Sequence, residues 1–234
     1  MVSKTSMREA VRAHRWRDVE EGLAARPDLK DFADERGRNW LHIACMTRGD
    51  AEAGLRTAQV LLALGFGIDD PAFTEGTWRA TPLWHAIAHG RNLELAEHLM
   101  TLGADPNHCL FAAVWNEDCE AIRLLLRFGA DIEEGVERGD TPLLGAVAWS
   151  KFGPAAALLE AGANPNVRSK SGKTALHVML KKGSAPEHFQ LFARHGARGD
   201  IPDAEGRTAD QLLRRKRDPG YRAAADMMAA AGRS

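Results

Sequence analysis

A motif of ten residues returns along this chain at nearly fixed intervals. TPLWHAIAHG begins at Thr81, TPLLGAVAWS at Thr141, TALHVMLKKG at Thr174 and TADQLLRRKR at Thr208. The units run on to glycine turns, LGADPN from Leu102, FGADIE from Phe128, AGANPN from Ala161 and HGARGD from His195. Thr141 to Thr174 is 33 residues and Thr174 to Thr208 is 34. A degenerate copy, HCLFAAVWNEDCEAIRLLLRFGAD, starts at His108, 33 residues before Thr141, and another starts at Asn39. Self-similarity at this period restricts the chain to an array of stacked supersecondary units, because one short unit cannot bury its own apolar face.

The unit from Thr141 is legible as two helices and a turn. Thr141 can accept from the orphan amides of a first helix whose first residue is Pro142, where the missing N–H costs nothing. Small residues at Gly145, Ala146 and Ala148 let a second helix approach closely. That second helix is expected to open at Pro154, to carry Leu158 and Leu159 inward, and to end at Gly162, which can take the left-handed conformation beyond a helix end. Asn164, Pro165 and Asn166 then turn the chain. At the N-terminus, Ser6 and Glu9 stand in capping-box spacing ahead of a polar first helix, as an outermost unit requires. The last unit is amphipathic, with basic residues on its outer side.

On these motifs the sequence resembles an ankyrin-repeat protein. The family's TPLH-x-A pattern stands here as TPLWHA, TPLLGA, TALHVM and, in weaker form, NWLHIA, and its second helix and turn stand as LLLRFGAD and ALLEAGANPN. The resemblance covers essentially the whole chain. It implies an all-α solenoid of about seven helix-turn-helix units with short hairpin or loop fingers, forming one domain over 1–234. The units are an N-cap at 1–38, repeats at 39–80, 81–107, 108–140, 141–173 and 174–207, and a C-cap at 208–234. Two spacings depart from the pattern. Asn39 to Thr81 is 42 residues, which lengthens the finger holding Phe73 and Trp78, and Thr81 to His108 is only 27, which removes the next finger.

Composition limits the function classes. Lys+Arg 31 against Asp+Glu 32 leaves a net charge of -1, so electrostatic recognition has to be local. Cys45, Cys109 and Cys119 form neither a CxxC pair nor a disulfide spacing and read as small apolar fillers in a reducing compartment. The N-terminal residues lack an apolar run of signal-peptide length, and no apolar window approaches about 18 residues. The expectation is a cytoplasmic monomer that does not enter membranes.

The resemblance also implies where partners bind: on a concave face lined by the first helices and the fingers. Counting from each unit's Thr position, the outward ends of the first helices fall at His89, Trp115, Trp149, Lys181 and Lys182, and the finger positions include Trp78 and Arg138. These seven are the candidate partner-binding residues. Of six Trp, Trp40 and Trp84 lie within the repeat motif and Trp16 is expected to face the first cap's core, so these three read as structural. Trp78, Trp115 and Trp149 fall on mapped contact positions in consecutive stretches, and an aromatic cluster flanked by Arg and Lys is what a protein–protein hot spot needs. The alternative is that each indole folds back and buries itself in its own repeat.

Catalytic and metal chemistry find little support. His85 and His89 have metal-ligand spacing, and His98 follows, but no third ligand is placed with them, so a packed His85 and a surface His89 are expected. The resemblance gives His42 and His177 a structural hydrogen bond to the turn. Cys109 and Cys119 lack the base and oxyanion site that a nucleophile requires. No phosphate-binding glycine loop occurs. The reading is a non-enzymatic protein-binding scaffold without cofactor or metal. The alternative is a binder of nucleic acid or another polyanion through the basic C-terminal units, where Lys170, Lys173, Lys181 and Lys182 extend the run Arg214 to Arg217.

Overall fold

The computed structural model describes residues 2–73, 79–135 and 140–231. Among them the secondary structure is helical, with two isolated antiparallel bridges, Ala72 with Ala80 and Pro202 with Thr208. The chain divides into two compact units, Met1–Ala112 and Ala113–Ser234.

The first unit contains α1 (Lys4–Arg12), α2 (Trp16–Ala25), a 3-10 turn (Pro27–Asp31), α3 (Trp40–Met46), α4 (Ala51–Ala63), α5 (Pro82–His85) and α6 (Leu93–Thr101). Helix α5 runs on into a π-turn over Ala86–Gly90. First helices stack on first helices and second on second: α1 packs on α3 and α3 on α5, while α2 packs on α4 and α4 on α6. The division falls within α7 (Leu110–Trp115). The second unit then holds α8 (Cys119–Arg127), α9 (Pro142–Ala148), α10 (Phe152–Glu160), α11 (Ala175–Lys182), α12 (Pro186–Arg194), α13 (Ala209–Arg214) and α14 (Pro219–Ala231). Its stacking repeats the rule, with α9 on α11 and α11 on α13, and α8 on α10, α10 on α12 and α12 on α14. The fourteen described helices thus follow one another as seven pairs, consistent with about seven units.

Local chemistry explains the starts. Thr81 and Thr141 accept from the amides of Trp84 and Leu144, each ahead of a proline at the first helical position. Asn39 and Thr208 form capping boxes with His42 and Gln211. Removing such a cap typically costs about 1 kcal/mol. The leucines of the repeated motif, Leu83, Leu143 and Leu176, are buried, as are Leu99, Leu125 and Leu158 on the facing second helices. Each contributes roughly 1.5–3 kcal/mol by leaving water. Gly162 ends its repeat at φ 94°, in the left-handed region where a side chain would be strained.

Two starts differ from the sequence expectation. The cap of α1 is Ser3, whose side chain accepts from the Ser6 amide, and Ser6 instead supplies the third helical residue of the box. Helix α10 opens at Phe152, so Pro154 is its third residue. Proline is tolerated there because the first-turn amides have no intrahelical partner. Trp16 is half-buried, and the Arg17 guanidinium lies 4.6 Å from its ring centroid, so its indole is shared between core and surface.

Between pairs the fingers are built by a device the motif reading missed. Asp34 accepts from the amides of Arg36 and Arg38 and from Arg38 Nε, while its own amide donates to the Arg38 carbonyl. Asp203 makes the same set with Glu205 and Arg207. The signal was in the sequence, as Asp34 to Arg38 (DERGR) and Asp203 to Arg207 (DAEGR) each immediately precede a helix cap.

Candidate functional site

In the second unit the ends of two first helices bring two tryptophans together. Val147 is the last inward residue of α9, Trp149 is its C-cap, and Ser150 at φ 59° turns the chain away. The indole therefore projects beyond the buried stripe from Leu143 to Val147. Trp115 ends α7 one position earlier in its repeat, and Glu117, two residues on, makes the equivalent turn at φ 56°. The two rings meet edge to face, with centroids 5.0 Å apart and planes at 89°. Trp115 is 59% exposed and keeps most of its surface in water, whereas Trp149, at 37%, buries the larger part of its own. Beside them Lys151 Nζ lies 2.6 Å from Glu117 Oε1, bridging the two inter-helix turns.

The edge-to-face geometry holds both side chains in place and contributes about 0.5–1.5 kcal/mol beyond area burial.

The other candidates separate. Lys182 Nζ donates to the Ala148 carbonyl at the end of α9, where a cation is favoured, so it clasps two repeats together. Lys181 is exposed and lines a cleft of about 450 Å³ beside α11 and α13, with Leu180, Leu212, Arg215 and Lys216. His89 lies in the first unit, exposed at the π-turn, with its Nδ1 3.4 Å from His85 Nδ1 and its ring 5.2 Å from that of Trp84. Trp78 and Arg138 fall outside the described residues.

His85 is buried beneath this surface, with the rings of His42, Trp84, His89 and Phe73 around it. Its Nε2 has no hydrogen-bond partner. Burial, reinforced by the charges of His42, His89 and Arg38, pushes its pKa down to about 3. Burial also lowers His89, with Arg38 and Arg48 adding to the effect. His42 Nε2 donates to the Asp70 carbonyl and His177 Nε2 to the Arg207 carbonyl, so each imidazole ties a helix start to a finger. Among the described residues no three His, Cys, Asp or Glu side chains are grouped to hold a metal ion. Burial pushes the Cys45 and Cys119 thiols up, away from thiolate chemistry. None of the described helices is long and apolar enough to cross a membrane.

Known proteins share this architecture. A family model described as ankyrin repeats (3 copies) matches residues 110–212. The chain is 38% identical over 81 residues to the 2-5A-dependent ribonuclease of Homo sapiens, covering 34% of this chain and 11% of that protein. It is 33% identical over 143 residues to ankyrin repeat and SOCS box protein 16 of Homo sapiens, covering 58% of this chain and 31% of that one. The chain thus spans less than a third of the length of either relative. Among solved structures, the human ASB11 ankyrin repeat domain superposes with a TM-score of 0.71 at 21% identity, covering 96% of both chains. The ankyrin repeat domain of Bcl-3 superposes at 0.76 and 21% identity, covering 98% of this chain and all of that one.

Proposed function

We propose that this chain, an ankyrin-repeat protein, is a non-catalytic scaffold that binds a partner protein through the outward ends of its first helices, with Trp115 and Trp149 as paired anchors. The observation that carries the reading is the exposed edge-to-face indole pair. Large apolar area that stays at the surface in a fixed geometry is what hot spots are made of. His89 and Lys181 are accessory contacts in this reading, and Trp78 and Arg138 keep that role from their register in the sequence. Lys182 contributes chiefly by fixing α11 to α9. The reading includes a monomer acting in the cytoplasm.

The polyanion alternative is weakened by two of its own cations. Arg214 pairs with Asp210 and Asp226, and Lys182 is bonded to a backbone carbonyl. Photo-cross-linking tests the proposal. A benzophenone amino acid in place of Trp115 should capture a discrete protein from the native lysate, and the same group in place of Glu160, exposed on α10, should not. Equal capture at both positions would remove the anchor assignment.

A further inference from the structure

The cleft beside α11 and α13 carries a charge excess that the chain does not balance. Lys173, Lys181, Arg215 and Lys216 surround the half-buried side chains of Leu180 and Leu212. Among the described residues none of these four cations has a carboxylate within ion-pair distance, and Lys216 has only the Tyr221 ring, 5.7 Å from its ammonium. Asp203, the one acidic residue among the described residues lining the cleft, is already used. It is buried and accepts from Arg207 Nε and a second guanidinium nitrogen at 3.0 and 2.8 Å, and from the amides of Glu205 and Arg207. Arg207 holds its carboxyl well below the usual carboxylate range. The fifth cation, Arg207, is in turn matched by Asp203 and Glu205.

The contrast with Arg214 shows that this is a local choice. One residue before Arg215, its guanidinium is met by Asp210 and Asp226. The whole chain has a net charge of -1, so carboxylates are abundant elsewhere. Keeping four cations together around two leucines costs repulsion, which a complementary anion would relieve.

We propose that this cleft binds an acidic peptide segment of a partner protein, one apolar side chain of which sits on Leu180 and Leu212 between the flanking cations. The proposal deepens the scaffold reading and rests on it for the partner being a protein, but it makes no use of the tryptophan pair. A volume of about 450 Å³ suits a few side chains rather than a folded surface. Nucleic acid is the poorer occupant. Single-stranded binding relies on aromatic rings on which bases stack. Among the described residues no Trp, Tyr or Phe lines the cleft, and the His177 ring is held at both nitrogens, by Thr174 and by the Arg207 carbonyl.

The test is a fluorescence-anisotropy titration of the full chain with a labelled peptide of six Asp and Glu residues around one central Leu. Saturable binding is expected, weakened at least tenfold by K181E/R215E and severalfold when the peptide's Leu is replaced by Ala. Both protein positions are exposed, and unchanged far-ultraviolet circular dichroism would confirm the fold of the variant. W115A/W149A should bind this peptide like the wild type, so loss of the anchor reading and loss of the cleft reading give different results. Absence of saturable binding, equal affinity of K181E/R215E, or tighter binding of a labelled oligothymidylate than of the peptide would each overturn the proposal.

Discussion

The ring of Trp149 stands edge-on to that of Trp115, with centroids 5.0 Å apart, and both rings keep a substantial part of their surface in water. Each indole closes a first helix beyond its last buried residue, so neither is needed to complete a core. Replacing either by Ala should therefore cost about 1 kcal/mol or less. A double-mutant cycle should show a coupling of roughly 0.5–1.5 kcal/mol, the aromatic contact itself. Losses of core size, near 3–5 kcal/mol for each single variant, would show that the rings are structural instead.

Trp40 provides the contrast. It is fully buried, stacks on Phe32 at 4.0 Å, and its Nε1 donates to the Leu29 carbonyl at 2.8 Å. Trp40→Ala should destabilise by about 3–5 kcal/mol. Trp40→Phe should still cost about 0.5–1.5 kcal/mol, because it removes the indole's bond to the Leu29 carbonyl, which then keeps only the Phe32 amide. Urea unfolding measures both, and a Phe variant as stable as the wild type would contradict the hydrogen-bond argument.

The buried imidazole gives the first unit a pH dependence. His85 is held near 3 in the folded chain against an ordinary value of 6.5. Between these values the unfolded chain binds more protons than the folded one, so stability is complete above pH 6.5 and falls as the pH drops toward 3. Burial lowers His14, His42 and His89 as well, which adds in the same direction. From pH 6.5 to 5 the His85 contribution alone should be about 2 kcal/mol. Urea midpoints at pH 7 and pH 5 test this. His85→Leu should flatten the change, and an unaltered slope would assign it to other groups.

A close backbone contact makes a fourth stability prediction. A Cβ on Gly90 would run into the Cys45 carbonyl oxygen, between two packed first-helix segments. Gly90→Ala should cost about 1–3 kcal/mol by overpacking. Gly49, with nothing near its Cβ position and no left-handed φ, should accept Ala within about 0.5 kcal/mol. Similar losses at the two positions would show that the Cys45 contact does not govern Gly90.

Helix starts and turns were legible because their chemistry is local: a Thr, a Pro and a Gly at fixed offsets specify cap, first residue and exit. The limits were local too. Pro154 marks a first turn rather than a first residue, and Ser3 outcompetes Ser6 because the helix begins a turn earlier. The register also placed Trp115 and Trp149 at the surface, but their contact with each other depends on how neighbouring repeats stack, which no single unit encodes. Lys182 illustrates the same gap, since its carbonyl partner, Ala148, is 34 residues away. The basic C-terminal stretch was visible as composition. Which of its cations are already matched emerged only when α14 brought Asp226 to Arg214. The π-turn over Ala86–Gly90 left no pattern that distinguishes it from an ordinary helix end.

The most direct measurement is quantitative affinity capture from native lysate with the wild-type chain beside W115A/W149A, after circular dichroism has shown equal helicity. The account predicts at least one protein retained by the wild type and reduced more than about tenfold on the variant, as expected for loss of hot-spot anchors. Equal recovery of the same proteins by both would contradict the claim that the paired indoles are the contact surface.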